Sequence, residues 1–243
     1  MKKRLLFSVL ISVSILFSSC NYKNTTILAK RIQHMEKASG NPGSIEEIKE
    51  SIKKYDAEAS EVVNKNAQIG IWYKILGTRY LDKKMYGEAL ECFQTALEFY
   101  PDNENLYYYV GLCAAYMSHA ALDFDARGNT EKKENYLKLS ENAYLRAINI
   151  YDRYANALRA LGVLYLFELK EPEKAVIYFE KYLTVETRSI DGMMFLAQAY
   201  YLTEQFDKAV ELYDKVIATT KSADKKALAE QNKKVVLDAS YGN

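Results

Sequence analysis

The spacing of large and small residues between Gly70 and Asn103 constrains this chain more than any other feature. The stretch reads GIWYKILGTRYLDKKMYGEALECFQTALEFYPDN. Leu76 and Tyr80 stand four apart and share one face of a first helix. Ala89, Phe93 and Ala96 stand at i, i+4 and i+7 and share one face of a second. Gly77 and Ala89 are small where the two helices would cross, so the backbones can approach. Tyr86 and Gly87 fill the turn between them, and Pro101 cannot continue the second helix.

The pattern recurs down the chain. Counting Gly70 as place one, a second unit spans 104–154, with Tyr107, Val110, Gly111 and Ala114 in its first helix and Tyr144 and Ala147 in its second. Asp152 stands there at the proline place. This unit carries an insertion, but apolar spacing continues through Cys113, Met117, Ala121 and Phe124 and resumes at Tyr136 and Leu139. Both helices are therefore expected to run about two turns further and to meet at Arg127–Thr130 as a spur. A third unit, 155–189, has Leu158, Leu161, Gly162, Tyr165, Ala175 and Phe179, with one extra residue near Lys170–Glu171–Pro172. A fourth, 190–223, has Leu196, Ala197, Tyr200, Ala209 and Tyr213. Residues 224–243 follow as a polar helix and tail, with Ala227, Leu228, Val235 and Leu237. Such a helix caps an array whose last apolar face would otherwise meet water.

Tyr73, Leu76, Gly77, Tyr80, Ala89, Phe93, Ala96 and Pro101 resemble the signature of the tetratricopeptide repeat (TPR), a helix–turn–helix unit of about 34 residues. The resemblance covers 70–223. It implies an all-α fold: a right-handed TPR solenoid with an N-terminal helix pair and a C-terminal capping helix. In such proteins the first helices line a concave groove through places two, five, nine, twelve and thirteen. Carried onto this chain, those places give Tyr108, Leu112 and Tyr116 in the second unit. They give Asn156, Arg159, Val163 and Phe167 in the third, and Met194, Gln198, Tyr201 and Leu202 in the fourth. The first unit offers Lys74 and Thr78. The subfamily that clamps a C-terminal carboxylate is excluded, because Thr78 and Tyr109 stand where its asparagines belong. What remains is an aromatic and apolar groove with one guanidinium, suited to an amphipathic helix or an extended peptide. The other reading is that these side chains pack against the capping helix and no ligand enters.

The start of the chain reads as a targeting segment. Met1-Lys2-Lys3-Arg4 is basic, and Leu5 to Phe17 is an apolar run too short to span a bilayer comfortably. Leu16-Phe17-Ser18-Ser19-Cys20 resembles a bacterial lipobox with Phe17 in place of the usual leucine, a loose form similar to that of spirochaete lipoproteins. The resemblance implies removal of a signal peptide at 1–19 and diacylglyceryl modification of Cys20. An ordinary secretory signal with a chance cysteine is the alternative. A lipid anchor would place the protein on the periplasmic side of a bacterial membrane. Asn21 instead of aspartate leans towards the outer one. The order of parts is also similar to that of uncharacterised spirochaete TPR lipoproteins.

Residues 20–69 read as a lipid-anchored N-terminal helix pair. The first helix spans 23–39, and a Gly40-Asn41-Pro42-Gly43 turn follows it. The second opens on a Ser44–Glu47 capping box. Its Ile45, Ile48, Ile52, Tyr55, Ala59 and Val62 form a heptad-like stripe. That stripe serves either a short coiled coil or packing on neighbouring helices.

Little in the sequence suggests chemistry. The formal charge is +1 with lysines and glutamates interleaved, so nothing marks a nucleic-acid partner. The two histidines, His34 and His119, are far apart in the repeat count, and no hydrolase, zinc-protease or phosphate-loop motif occurs. No cofactor or metal is expected. Asp123, Asp125, Gly128 and Glu134 fall at EF-hand spacing, but Arg127 occupies a ligand place, which favours a solvated hairpin tip. Cys92 and Cys113 are either two small buried apolar residues or a disulfide. The 21 tyrosines fill half-buried helix faces or line a binding surface. The expected function is a non-catalytic, lipid-anchored TPR scaffold binding a protein or peptide partner. The alternative is an accessory of solute uptake that binds a solute-binding protein or a small apolar ligand.

Overall fold

The computed structural model describes residues 44–123 and 130–241. The leader at 1–19, Cys20, the expected 23–39 helix, the Gly40–Gly43 turn and the tip at 124–129 lie outside them. No strand occurs among the described residues. The elements are α1 (Ile45–Asp82), α2 (Tyr86–Phe99), α3 (Glu104–Asp123), α4 (Thr130–Ile150), α5 (Ala155–Val163), a π-helical stretch (Leu164–Leu169), α6 (Pro172–Val185), α7 (Ile190–Leu202), α8 (Phe206–Thr219) and α9 (Ala223–Tyr241). From α2 onward each helix packs against the next in sequence. The fold is a helix-pair repeat solenoid that ends on a capping helix. In the second unit α3 and α4 run on past the length of the other pairs, which is the long hairpin expected there.

The repeat register is visible in the packing. In three units the ring at place twenty-four lies over the glycine at place eight. A Cβ on Gly77 would stand 2.8 Å from Phe93, one on Gly111 2.6 Å from Tyr144, and one on Gly162 2.8 Å from Phe179. Only a hydrogen fits at such a crossing. In the fourth unit the equivalent pair is Ala197 and Tyr213, both buried in the core.

The extra residue of the third unit does not sit in the turn. It is absorbed upstream, where the first helix widens into the π-helical stretch Leu164–Leu169. A π-bulge is how an α-helix accommodates one inserted residue without losing its later register. The stretch carries Phe167 and Glu168. His119 and Lys133, one from each long helix of the second unit, converge on the Glu168 carboxylate at 3.6 and 3.4 Å.

Each of three turns between paired helices places one residue in the left-handed region: Lys84 (φ 59°), Lys170 (φ 57°) and Glu204 (φ 58°). The N–H that follows donates back to the carbonyl of the place-eleven tyrosine in every case: Met85 to Tyr80, Glu171 to Tyr165 and Gln205 to Tyr200. None of the three left-handed residues is glycine, so each carries a Cβ penalty. Glu204→Gly is therefore expected to raise stability by about 0.5–1 kcal/mol, the relief of strain outweighing the added freedom of the unfolded chain. The urea midpoint should rise with an unchanged slope; a fall would mean that the turn does not hold this conformation.

Two expectations are corrected here. First, the helix opening at the Ser44–Glu47 capping box, whose reciprocal bonds are both 3.2 Å, does not end before the first repeat. It continues to Asp82 as α1, because no proline or exposed glycine interrupts 62–70. Gly70 lies inside it, and a Cβ there would stand 2.7 Å from Phe99 and Tyr100. Residues Ile45–Glu61 of α1 are exposed throughout, and the packed array comprises residues from Val62 onward. Second, Leu228 and Val235 are not the buried face of the cap. Both are 48% exposed, and Ala229 and Val236 pack into the core instead.

Candidate groove on the first helices

Side chains at the expected groove places emerge from α3, α5, the π-helical stretch and α7. These helices begin where local chemistry lets them. Asn103 accepts from the Leu106 N–H at 3.1 Å ahead of α3, and Ser189 accepts from the Gly192 N–H at 3.1 Å ahead of α7. Such side-chain oxygens satisfy donors that a first turn leaves open.

At one end of this surface is a tyrosine cluster. The half-buried Tyr108 ring lies 5.4 Å from Tyr109, 6.0 Å from Tyr144 and 5.7 Å from Tyr154. Burial raises the Tyr108 phenol above its ordinary value, and the neighbouring Arg159 guanidinium opposes that rise. Tyr116 is 43% exposed and stacks on Tyr86 at 4.3 Å. Leu112 is half-buried and Asn156 exposed. Val163 and Phe167 pack against the core from a half-buried position. Phe167 meets Phe195 edge-on at 5.9 Å.

At the other end the capping helix contributes a wall, as in the reading that sets these side chains against it. A cleft of about 210 Å³ lies between α7 and α9. Met194 and Gln198 line it from α7, and Lys225, Leu228 and Asn232 from α9. Lys225 Nζ donates to Asp191 Oδ1 at 2.6 Å at the same site. The three α9 residues could have been found by continuing the repeat count. With Asp224 as place one, they fall at places two, five and nine. Places four, seven, eight and eleven are Ala227, Glu230, Gln231 and Lys234, too polar to bury a further second helix. The capping helix thus continues the repeat count and lines this cleft. Tyr201 is half-buried beside Phe206 at 6.1 Å. Leu202 instead borders a separate cleft of about 570 Å³ with Glu173 and Val176. In the first unit Lys74 and Thr78 are half-buried.

The surface is suited to non-covalent binding. No group of His, Cys, Asp and Glu among the described residues could hold a metal ion. Cys92 and Cys113 are both free and buried rather than joined, and burial pushes the Cys113 thiol up to about 12. Interior tyrosines are tied across units: Tyr165 donates to Glu141 at 2.6 Å and Tyr200 to Glu180 at 2.5 Å.

These tyrosines set an alkaline limit. Burial, first of all, raises the phenols of Tyr108, Tyr144, Tyr165, Tyr200 and Tyr213, and it pushes Tyr154 up to about 12. A raised folded-state pKa contributes stability that is complete below the unfolded value, about 10, and is lost as pH rises beyond it. Melting temperature should therefore hold level from about pH 7 to 9 and fall steeply above about 10. Tyr154→Phe should flatten that fall. A flat profile to pH 12 would show the phenols to be unshifted.

Residues 71–103 and 193–227 each match the tetratricopeptide repeat. The chain carries TPR units. A TPR repeat-containing protein of Borreliella burgdorferi is 28% identical over 224 residues, covering 91% of this chain and 92% of that protein. Among solved structures, a thermophilic TPR protein of Thermus thermophilus superposes with a TM-score of 0.54 at 20% identity, over 74% of this chain and 91% of that one. YrrB, a TPR protein with an unusual peptide-binding site, superposes at 0.53 and 19%, over 74% and 88%. At these identities the likeness extends to the fold.

Proposed function

We propose that this protein is a lipid-anchored TPR scaffold that holds a protein or peptide partner on the periplasmic side of a bacterial membrane, through the groove on α3, α5, α7 and α9. One observation carries the reading of the groove. Tyr108, Tyr116, Arg159, Phe167, Met194 and Gln198 come from three units, yet they lie on the successive first helices with enough exposure to meet a ligand. Aromatic and arginine side chains are the usual energetic anchors of such contacts. The α7–α9 cleft offers an apolar recess between two amide side chains, Gln198 and Asn232, which suits a peptide side chain flanked by its backbone. YrrB, of similar fold, has a peptide-binding site of its own.

Anchoring rests on Ser18-Ser19-Cys20 after a short apolar run. Two acyl chains at about 0.8 kcal/mol per buried methylene hold a protein stably on a bilayer. Cys20→Ala should abolish metabolic lipid labelling and leave the leader uncleaved by the lipoprotein peptidase. Wild-type protein that partitions wholly into the aqueous phase of a detergent extraction would refute the anchor while leaving the groove reading intact.

A further inference from the structure

The first unit lacks something the third and fourth units have. In the third and fourth units the place-four and place-seven residues are deeply buried: Leu158, Leu161, Met193 and Leu196. Each of those first helices packs against the second helix of the preceding unit. In the first unit the same places hold Tyr73 and Leu76, 36% and 42% exposed, with Ile69 and Trp72 exposed beside them. A soluble protein seldom leaves such a strip uncovered.

The sequence of α1 indicates what covers it. Its stripe does not stop at Val62. Ile45, Ile52, Ala59, Asn66 and Tyr73 stand seven apart. Ile48, Tyr55, Val62, Ile69 and Leu76 stand seven apart, three residues after each of them. The phase is unbroken along one helix, and all ten side chains are exposed. A sustained heptad of this kind is the pattern of a helix that pairs with another of equal length, with the first set at a and the second at d. The one polar residue in the seam is Asn66, at an a place. A buried amide needs a partner, and in a parallel, in-register pair Asn66 faces its own copy and the two amides bond to each other. In an antiparallel pair of the same overlap it would oppose Tyr55. A single asparagine at an a place fixes register and strand number in parallel two-stranded pairs.

We infer that α1 is the interface of a parallel, in-register homodimer, each copy's residues 45–76 covering those of the other. Ile45–Glu61 pairs with the same stretch of the second copy, and the open edge of one array pairs with the other's.

The chain's one tryptophan, Trp72, lies at the flank of the seam and is 61% exposed in the single chain, so it reports pairing. The test uses the purified full-length chain. Light scattering should give the mass of two chains, falling towards one on serial dilution, with Trp72 emission moving to longer wavelength over the same range. Ile52→Glu with Leu76→Glu should give a single-chain mass and red-shifted emission at every concentration. Its helical signal should persist, because both side chains are exposed. Ile48→Cys, which an antiparallel pair would set opposite Tyr73, should cross-link two chains under mild oxidation, whereas Asn64→Cys, on the outer face, should not. A single-chain mass throughout, with emission independent of concentration, would overturn the dimer and assign the strip to the chain's own N-terminal segment or to another protein. A dimer whose Ile48→Cys form fails to cross-link would overturn the parallel register.

Discussion

Gly111→Leu is expected to destabilise the protein by roughly 3 kcal/mol, near the upper end for overpacking a core. The Cβ alone would stand 2.6 Å from the Tyr144 ring, and further carbons would follow it into the same space. Tyr144 cannot withdraw: it is 2% exposed and packed in the core. Nor can the α3 backbone shift freely, because Ser140 Oγ on α4 donates to the Gly111 carbonyl at 2.8 Å, wholly inside the protein. Moving the helices apart would break that bond and leave a buried hydroxyl without its acceptor, a further cost of about 1–3 kcal/mol. Gly87→Ala is the matched control. A Cβ there meets nothing closer than the Met117 methyl at 3.9 Å, so the gain in helix propensity should show, up to about 1 kcal/mol. Equal urea midpoints for the two variants would mean that the place-eight crossing is not tight.

Tyr116→Ala combined with Arg159→Ala is expected to weaken partner binding by at least about 2 kcal/mol, roughly thirtyfold in Kd. Tyr116 is exposed on one face and stacked on Tyr86 on the other, so it presents a ring already held in place. Arg159 makes no ion pair among the described residues, and it stands close enough to Tyr108 to oppose the rise of its phenol. A guanidinium so placed is available to a carboxylate or a peptide carbonyl. The helical signal should persist, because neither side chain fills an inter-helix crossing. The partner is to be recovered from solubilised membranes with the wild-type chain, and its affinity for both forms measured by calorimetry. Glu131→Ala with Lys132→Ala, exposed at the start of α4, should change little. If the α4 pair abolishes binding and the groove pair does not, the long hairpin is the docking site.

The candidate groove continues past the fourth unit, where the same repeat count still applies. Place numbers taken from Gly70 put Tyr108, Arg159 and Met194 on the first helices, since a fixed period maps sequence distance onto a repeated position in space. They did not include Lys225, Leu228 and Asn232, because the fourth unit was ended at 223 and 224–243 read as a polar cap. The structure shows it holding the same period as the units before it, with a polar face where a second helix would follow. Phe167 counts to the first helix of the third unit, but how far it is tied inward against Phe195 depends on the π-helical stretch that carries it.

The helix-pair unit and the small residue at its crossing, glycine in three units and Ala197 in the fourth, were legible in the residues alone, because these follow from local periodicity and from side-chain size at a repeated place. So was the capping box at Ser44, since both partners lie within one turn. Matters that depend on what is absent or inserted were settled by packing in three dimensions. The extra residue of the third unit could be taken up by turn or helix, and the hydrogen-bond ladder, not the residue types, selected a π-helical stretch. Lys84, Lys170 and Glu204 adopt left-handed backbone because the next N–H must reach a place-eleven carbonyl, a demand that no glycine advertised. Whether Tyr73 and Leu76 are buried could not be read from their identity, which matches buried counterparts in later units. It depended on whether another helix covers their face, and in the single chain they stay 36% and 42% exposed.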